Sequence, residues 1–191
     1  MNRLPYACQR KLCRWLPGAL CSAALVLAMQ PAPAASAQDA DPAIVAAGLQ
    51  IYKTMANCEV CHGWTGTGGA PHDESTNHVV DAGPSLPRSQ LNREQMIEIV
   101  SCGVPGGRMP RYLGTAWSDE RPCYGSVVPA GALDDAPPRP PLTLTARQIE
   151  AVVTYVQEVY QGREMTLANC IQYFGPTSRG CDLFRPTPPA R

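Results

Sequence analysis

A pair of cysteines separated by two residues, with a histidine directly after the second, constrains this chain more than any other feature. The pair lies in residues 57–69, NCEVCHGWTGTGG, as Cys58 and Cys61, followed by His62. Three kinds of site use such a pair: a redox-active dithiol, a structural zinc site and a covalently attached haem. Each needs a different context, so the surrounding sequence can discriminate between them.

The context of this pair favours the haem. A redox-active dithiol normally lies between a strand and a helix, whereas here a helical pattern precedes the pair and a glycine-rich loop follows it. A structural zinc ion needs four ligands, and the chain offers no second close pair to complete them. In the haem-attachment signature, cysteines about one helical turn apart can bond one edge of a porphyrin, with His62 beneath the iron. The motif occurs once, so we expect one haem.

The first 37 residues have the layout of a secretory signal peptide. Its basic residues are Arg3, Arg10, Lys11 and Arg14. An apolar run follows at 19–29, and Ala35-Ser36-Ala37 suits cleavage before Gln38. The run is shorter than the about 20 residues that a spanning helix needs. We therefore expect export, cleavage near Ala37 and a periplasmic location, which suits c-type haem because bacteria attach it outside the cytoplasm.

The chain that remains after cleavage, residues 38–191, is mildly acidic. The whole protein has 16 Lys and Arg residues and 16 Asp and Glu residues; the leader holds four basic and no acidic ones, which leaves 12 against 16, a formal charge of −4. We therefore expect no nucleic-acid partner. No other segment is apolar enough to predict a membrane span once the signal is removed.

The four remaining cysteines of residues 38–191 indicate disulfides. They are Cys102, Cys123, Cys170 and Cys181. An even number of cysteines in an exported protein is typical of disulfide bonding. Four cysteines allow three pairings, and the sequence does not decide between them. We prefer pairing of neighbours, 102 with 123 and 170 with 181.

Three segments have helical patterns, and strand signals are nearly absent. The first follows Asp41, a good N-cap, with Pro42 at the first helical position. Its apolar positions at helical spacing are Ile44, Gly48, Ile51, Tyr52 and Met55. Long loops at 63–89 and 129–142, rich in glycine and proline, separate the helices. Loops of this length need a functional reason, and a large buried cofactor would supply one.

The second and third helices carry capping signals. Asn92 with Gln95 can start the second, and Thr145 with Gln148 forms a capping box at the start of the third, which should stop at Gly162. The pattern predicts that the third helix is the last one. Its apolar face consists of Ile149, Val152, Val153, Val156, Val159 and Tyr160.

A haem iron also needs a ligand on its far face. The candidates are Met55, Met96, Met109, Met165, His72 and His78. Met55 is too close to Cys58 to reach round the haem, and Met165 follows the third helix. Met96 belongs to the apolar stripe of a helix, where a methionine is more often a core residue.

Met109 is the preferred sixth ligand. It lies in CGVPGGRMPRY, where glycines and prolines predict an irregular loop, and a methionine there has no obvious packing role. His72 and His78, in the long loop after the cysteine motif, stay as alternatives.

With these residues in place, the chain resembles the class I c-type cytochromes. Five elements match in order: GLQIY at 48–52, CEVCHG at 58–63, GPSL at 83–86, GRMP at 107–110 and VVTYVQEV at 152–159. The resemblance covers roughly residues 44–160. It implies an all-α, cytochrome c-like fold around one covalent haem, with long loops, in residues 38–165. Residues 166–191 would form a C-terminal extension tied by a disulfide.

The resemblance also implies roles for individual residues. Cys58 and Cys61 would bind haem c through thioethers, and His62 and Met109 would be the axial ligands. The carbonyl of Pro84 would accept the imidazole N–H of His62 and fix its orientation.

The same resemblance places Gly48 where the first and last helices cross closely. Tyr52 and Tyr155 would then pack at that crossing.

The chain departs from a minimal cytochrome of this class in three places. Residues 111–142 form an unusually long stretch, a cysteine-containing extension follows the third helix, and Cys102 and Cys123 bracket Met109. We hypothesise that a disulfide between these two cysteines clamps the loop that carries Met109.

The function implied is electron carriage, not catalysis. The expected partners are redox proteins, a donor dehydrogenase and an acceptor oxidase or cytochrome. An alternative is a haem-bearing subunit of a periplasmic oxidoreductase complex, of the sulfur-oxidising or alcohol dehydrogenase type. A haem sensor is less favoured, because two axial ligands leave no open position. Arginines around the methionine loop could steer an acidic partner: Arg88, Arg93, Arg108, Arg111 and Arg121.

Overall fold

The computed structural model describes residues 40–68 and 83–186. Its α-helices are α1 (Pro42–Gln50), α2 (Glu59–His62), α3 (Arg93–Cys102), α4 (Ala146–Val159) and α5 (Leu167–Phe174). A π-helical segment, Ile51–Met55, continues α1, and 3₁₀ turns cover Ala130–Ala132 and Arg179–Phe184. The described residues form no strand, only two isolated bridges. The all-α expectation is therefore confirmed for this part of the chain. The expected signal peptide and both loop histidines, His72 and His78, lie outside the described residues.

Helix α1 starts as expected, but not all of its regularly spaced apolar residues are buried. The side chain of Asp41 accepts a hydrogen bond from Ala43 N at 2.8 Å, with Pro42 in the first turn. Gly48, Ile51 and Tyr52 are buried as expected. Ile44 and Met55, which share this helical spacing, are 44% and 38% exposed. For Met55 the reason is the π segment, because its wider turn breaks the 3.6-residue spacing used to place that side chain.

Helices α3 and α4 both begin with the predicted capping boxes. Asn92 and Gln95 exchange side-chain-to-backbone hydrogen bonds at the start of α3, and Thr145 and Gln148 do so at the start of α4. Helix α4 ends at Val159, three residues before the expected Gly162, which instead adopts a positive φ in the turn that follows.

The core is centred where α1 crosses α4. A Cβ built on Gly48 would lie 2.5 Å from the Cβ of Tyr155 and closer still to the carbonyl oxygen of Ala151, so only glycine permits this approach. The rings of Tyr52 and Tyr155 pack there with centroids 5.5 Å apart. The predicted close crossing is confirmed. Around it lie further buried side chains: Leu49, Ile51, Met96, Tyr112, Leu144, Ile149, Val152, Val153, Val159 and Tyr160.

Helix α4 is not the last helix, which corrects the sequence expectation. Helix α5 follows, and its capping box is formed by Thr166 and Asn169. A disulfide joins Cys170 of α5 to Cys181 in the final 3₁₀ turn. The signal for α5 was present, since Leu167, Cys170, Ile171 and Phe174 follow helical spacing. The signal is weak because α5 has only eight residues. Its third helical position also holds asparagine and not the usual Glu or Gln of a capping box.

The stretch between α3 and α4 builds a second, smaller core. Cys102 and Cys123 form the other expected disulfide, so both neighbour pairings are confirmed. The two cysteines are buried together with Trp117 and Ala130, and Nε1 of Trp117 donates to the carbonyl oxygen of Cys102 at 3.0 Å. Within the two described ranges, no helix has the length and apolar character needed to cross a membrane.

Candidate haem-binding site

The cysteine motif forms a single helical turn. Cys58 caps α2 and His62 ends it, and the amide of His62 donates to the carbonyl oxygen of Cys58 at 3.0 Å. The thiols of Cys58 and Cys61 are half-buried and not disulfide-bonded, unlike the other cysteines of the described ranges. Burial raises the pKa of the Cys58 thiol to about 12. The Cys58 thiol is thus protonated, and the two unpaired cysteines lie one helical turn apart.

His62 is buried and oriented by a backbone carbonyl. Its Nδ1 lies 3.0 Å from the carbonyl oxygen of Pro84, which is the contact that the resemblance implies. With the proton on Nδ1, this nitrogen donates to Pro84 and Nε2 keeps its lone pair for a metal. Burial lowers the pKa of His62, although the Pro84 contact acts in the opposite direction. The environment therefore favours the neutral, ligating form.

Two glycines allow the Pro84 segment to approach the histidine. The amide of Gly83 donates to the carbonyl oxygen of Cys61 at 2.6 Å, and a Cβ on Gly83 would lie 2.8 Å from Nδ1 of His62. Gly68 adopts a φ of +78° and donates to the carbonyl oxygen of His62 at 3.0 Å. Sequence reasoning assigned a role to Pro84 alone, yet Gly83 directly before it is what admits the imidazole.

The loop that carries Met109 is fixed by backbone contacts. The carbonyl oxygen of Met109 accepts a hydrogen bond from Val104 N at 3.1 Å, and the amide of Gly107 donates to the carbonyl oxygen of Val104 at 2.9 Å. Gly103, with a φ of +68°, lies so close that a Cβ on it would be 2.7 Å from the same Met109 oxygen. The Met109 side chain is half-buried against the main core. This is the rigid, irregular loop expected from the sequence.

Tyr112 connects this loop to the cysteine motif, a role that sequence reasoning missed. Its amide donates to the carbonyl oxygen of Val100 at 3.1 Å, and its hydroxyl donates to that of Ala56 at 2.9 Å, two residues before Cys58. Burial raises the pKa of Tyr112, and the nearby Cys58 and Cys61 raise it further. The side chain is therefore close to both thiols and holds the two halves of the site together.

The other methionines fill different places. Met96 is a buried core residue of α3, as expected, and Met55 is exposed. Met165 is half-buried against the main core, like Met109, but lies beyond α4. Ligation by Met109 stays a prediction, with His72 and His78 as its alternatives.

Three buried tyrosines hold the chain directly after His62 against α4. The hydroxyl of Tyr52 donates to the carbonyl oxygen of Gly63 at 2.7 Å, and that of Tyr160 donates to the carbonyl oxygen of Trp64 at 2.8 Å. The hydroxyls of Tyr155 and Tyr160 lie 3.1 Å apart. Burial raises the pKa of Tyr52 and Tyr160, so both remain hydrogen-bond donors at neutral pH.

The C-terminal extension packs on the cysteine motif. The ring of Trp64 contacts those of Phe174 and Phe184, with centroids 5.0 and 5.8 Å apart. The hydroxyl of Tyr173 donates to the carboxylate of Glu59, which lies between the two motif cysteines. The extension therefore supports α2 from outside, a role that the sequence did not reveal.

The Cys102–Cys123 disulfide is supported by a carboxylate. Glu98 accepts hydrogen bonds from the amide of Tyr124 at 2.8 Å and from the guanidinium of Arg121. Burial acts to raise the pKa of Glu98, but these donors and the Arg121 charge outweigh it and leave the pKa lowered. The segment that carries Cys123 is thus joined to α3 by the disulfide to Cys102 and by the ion pair between Arg121 and Glu98.

The expected collar of arginines is only partly available for docking. Arg93 donates to Thr154 Oγ1 at 3.0 Å and to Gln157 Oε1 at 3.2 Å, and Arg121 is bound to Glu98. These two side chains are therefore held within the molecule.

The donor set fits a c-type haem. Two thiols one turn apart, an imidazole with one nitrogen held by a carbonyl, and a thioether in a fixed loop are the groups that attach such a haem and ligate its iron. The tyrosine-rich core beside them is largely closed to water.

Comparison with known proteins agrees with this chemistry. Residues 43–121 match the family model described as cytochrome C oxidase, cbb3-type, subunit III. No curated protein and no solved structure matches the chain. The matched region includes the cysteine motif, Pro84 and Met109. The match supports a c-type cytochrome domain of the class I kind, with a role in haem-based electron transfer, in residues 43–121.

Proposed function

We propose that this protein is a periplasmic c-type cytochrome that carries single electrons between redox proteins. It would be exported with cleavage near Ala37 and would hold one haem c through thioethers to Cys58 and Cys61. The observation that carries the proposal is the hydrogen bond from buried His62 to Pro84, where His62 directly follows one unpaired cysteine, Cys61, and lies one helical turn after the other, Cys58. Such a hydrogen bond from the other ring nitrogen fixes the orientation of a histidine that ligates a metal.

Each element of the site has a task in this function. Pro84 fixes the tautomer and rotation of His62, so Nε2 would be the atom that binds the iron. The Tyr112 hydrogen bond to Ala56 keeps the Met109 loop against the cysteine motif. The proposed iron ligands are His62 and Met109. When bound, such a haem exchanges one electron at a potential that the methionine raises. A fixed ligand set keeps structural change small when the charge changes.

The proposed partners are redox proteins, a dehydrogenase that donates and an oxidase or cytochrome that accepts. A second function rests on the name of the matching family model, which describes an oxidase subunit. On that alternative the same domain would be a permanent haem-bearing subunit of a periplasmic oxidoreductase complex. The site chemistry would be the same, and only the state of assembly differs.

Fractionation and a redox titration of the protein from native cells test the proposal. We expect a periplasmic haem protein that elutes at the size of its own chain and titrates as a one-electron couple. Elution within a stable oxidoreductase complex would support the subunit alternative. A cytoplasmic location, or haem lost from the protein on unfolding, would contradict the proposal.

A further inference from the structure

A cavity of about 260 Å³ lies in the long stretch after Met109, outside the cysteine motif. Arg111 and Arg139 both line it, together with Thr143, and Pro129 and Pro140 form part of its wall. Among the described residues that line it there is no carboxylate. The cavity combines two guanidinium groups and a hydroxyl, all hydrogen-bond donors, with no negative charge to balance them.

Backbone contacts hold together the two chain segments that carry these groups. The amide of Arg111 donates to the carbonyl oxygen of Pro138 at 3.1 Å, and that of Leu144 donates to the carbonyl oxygen of Tyr112 at 2.7 Å. Leu113 and Leu144 form an isolated bridge between the same segments. These contacts flank the cavity, so the segments that carry Arg111 and Arg139 are held beside each other by backbone hydrogen bonds.

The two charges have no described counter-ion. Neither arginine forms an ion pair with a carboxylate in the part of the chain that the structure describes. They also lie close enough to interact unfavourably with each other. Arg111 is half-buried and Arg139 is exposed, so water screens part of this repulsion; an anion bound between the two guanidinium groups would offset the rest. Guanidinium groups bind oxyanions through paired N–H donors, the geometry that carboxylates and phosphates match.

We propose that this cavity binds a small oxyanion, a phosphate or a compact carboxylate, between Arg111, Arg139 and Thr143. The inference gives the long stretch after Met109 a role beyond electron carriage. Arg139 and Thr143 lie outside the region that the family model matches. The site therefore extends beyond the matched region, which contains Arg111.

Calorimetric titration of the haem-loaded protein with inorganic phosphate, at constant ionic strength, tests the proposal. We expect saturable binding of one phosphate per chain. Arg139→Gln should weaken it about tenfold or more, because each lost hydrogen bond to a charged group is worth at least that factor. Arg111→Gln should do the same. Arg147→Gln, which removes an exposed arginine of α4 that does not line the cavity, should change the affinity less than twofold.

Two results would overturn the proposal. One is the absence of saturable phosphate binding, including the case in which the propionates of the haem already occupy the cavity. The other is an equal loss of affinity in Arg139→Gln and Arg147→Gln, which would indicate nonspecific attraction. The absorption spectrum of each variant shows whether the haem site is intact. If Arg111→Gln does not fold, the phosphate affinity of Arg139→Gln tests the proposal by itself.

Discussion

Replacing Gly48 by alanine should destabilise the protein through the crossing of α1 and α4. The added methyl carbon would lie 2.5 Å from the Cβ of Tyr155 and closer to the carbonyl oxygen of Ala151. Neither atom can rotate away, so the helices must separate. Overpacking of this kind costs about 1–3 kcal/mol, and the upper end applies because backbone must move. Alanine gains about 1 kcal/mol over glycine in a helix, which leaves a net loss of roughly 2 kcal/mol.

Thermal unfolding of the haem-loaded protein, followed by circular dichroism, measures this effect. For a chain of this size the loss corresponds to a fall in Tm of about 4–8 °C. Gly131→Ala is the matched control, because a Cβ there would meet nothing within 4 Å, and it should change stability by less than about 0.5 kcal/mol. A Tm for Gly48→Ala equal to that of the control would refute the close crossing.

Three further changes test the site and its supports. Met109→Ala should abolish the long-wavelength absorption band of a methionine-ligated ferric haem and lower the reduction potential, whereas Met165→Ala, at a similarly half-buried position, should keep both. Joint replacement of Cys102 and Cys123 by serine should remove about 3 kcal/mol of stability and narrow the pH and temperature range over which the methionine band persists. Glu98→Gln should lower stability most near neutral pH, because the lowered carboxyl pKa stabilises the fold only while the group is ionised.

Each of these three predictions has an outcome that would contradict it. An unchanged band in Met109→Ala would assign the sixth ligand to another methionine, and absence of the band from the wild type would assign it to His72 or His78. A methionine band equally persistent without the disulfide would exclude the clamp. For Glu98, the gap in unfolding free energy between wild type and variant should close as the pH falls below the ordinary carboxyl pKa of 4.5 and through the lower folded one. A gap that is constant with pH would exclude the ionic contribution.

The cysteine motif and the helix caps could be read from the sequence because they are local. Asp41, Asn92 and Thr145 cap their helices through hydrogen bonds that span two or three residues. The His62–Pro84 contact joins residues 22 positions apart, so it could be expected only through the resemblance to known cytochromes.

The features missed depend on distant or irregular structure. The exposure of Met55 could not be predicted, because no sequence pattern indicates the π turn that follows Gln50. The Tyr112 bridge to Ala56 spans 56 residues, and the packing of Trp64 on Phe174 spans a still longer distance along the chain. Periodicity carries no information on such pairs, because it describes only which face of one helix is buried.

The most direct measurement is a pyridine haemochrome spectrum of the purified mature protein, combined with its mass after denaturation. We expect one haem per chain that stays bound in denaturant and acid acetone, with the band position of a haem whose two vinyl groups are saturated by Cys58 and Cys61. A colourless protein from cells with a working c-type maturation system, or a haem that extracts into acid acetone, would contradict the covalent haem on which the proposed function depends.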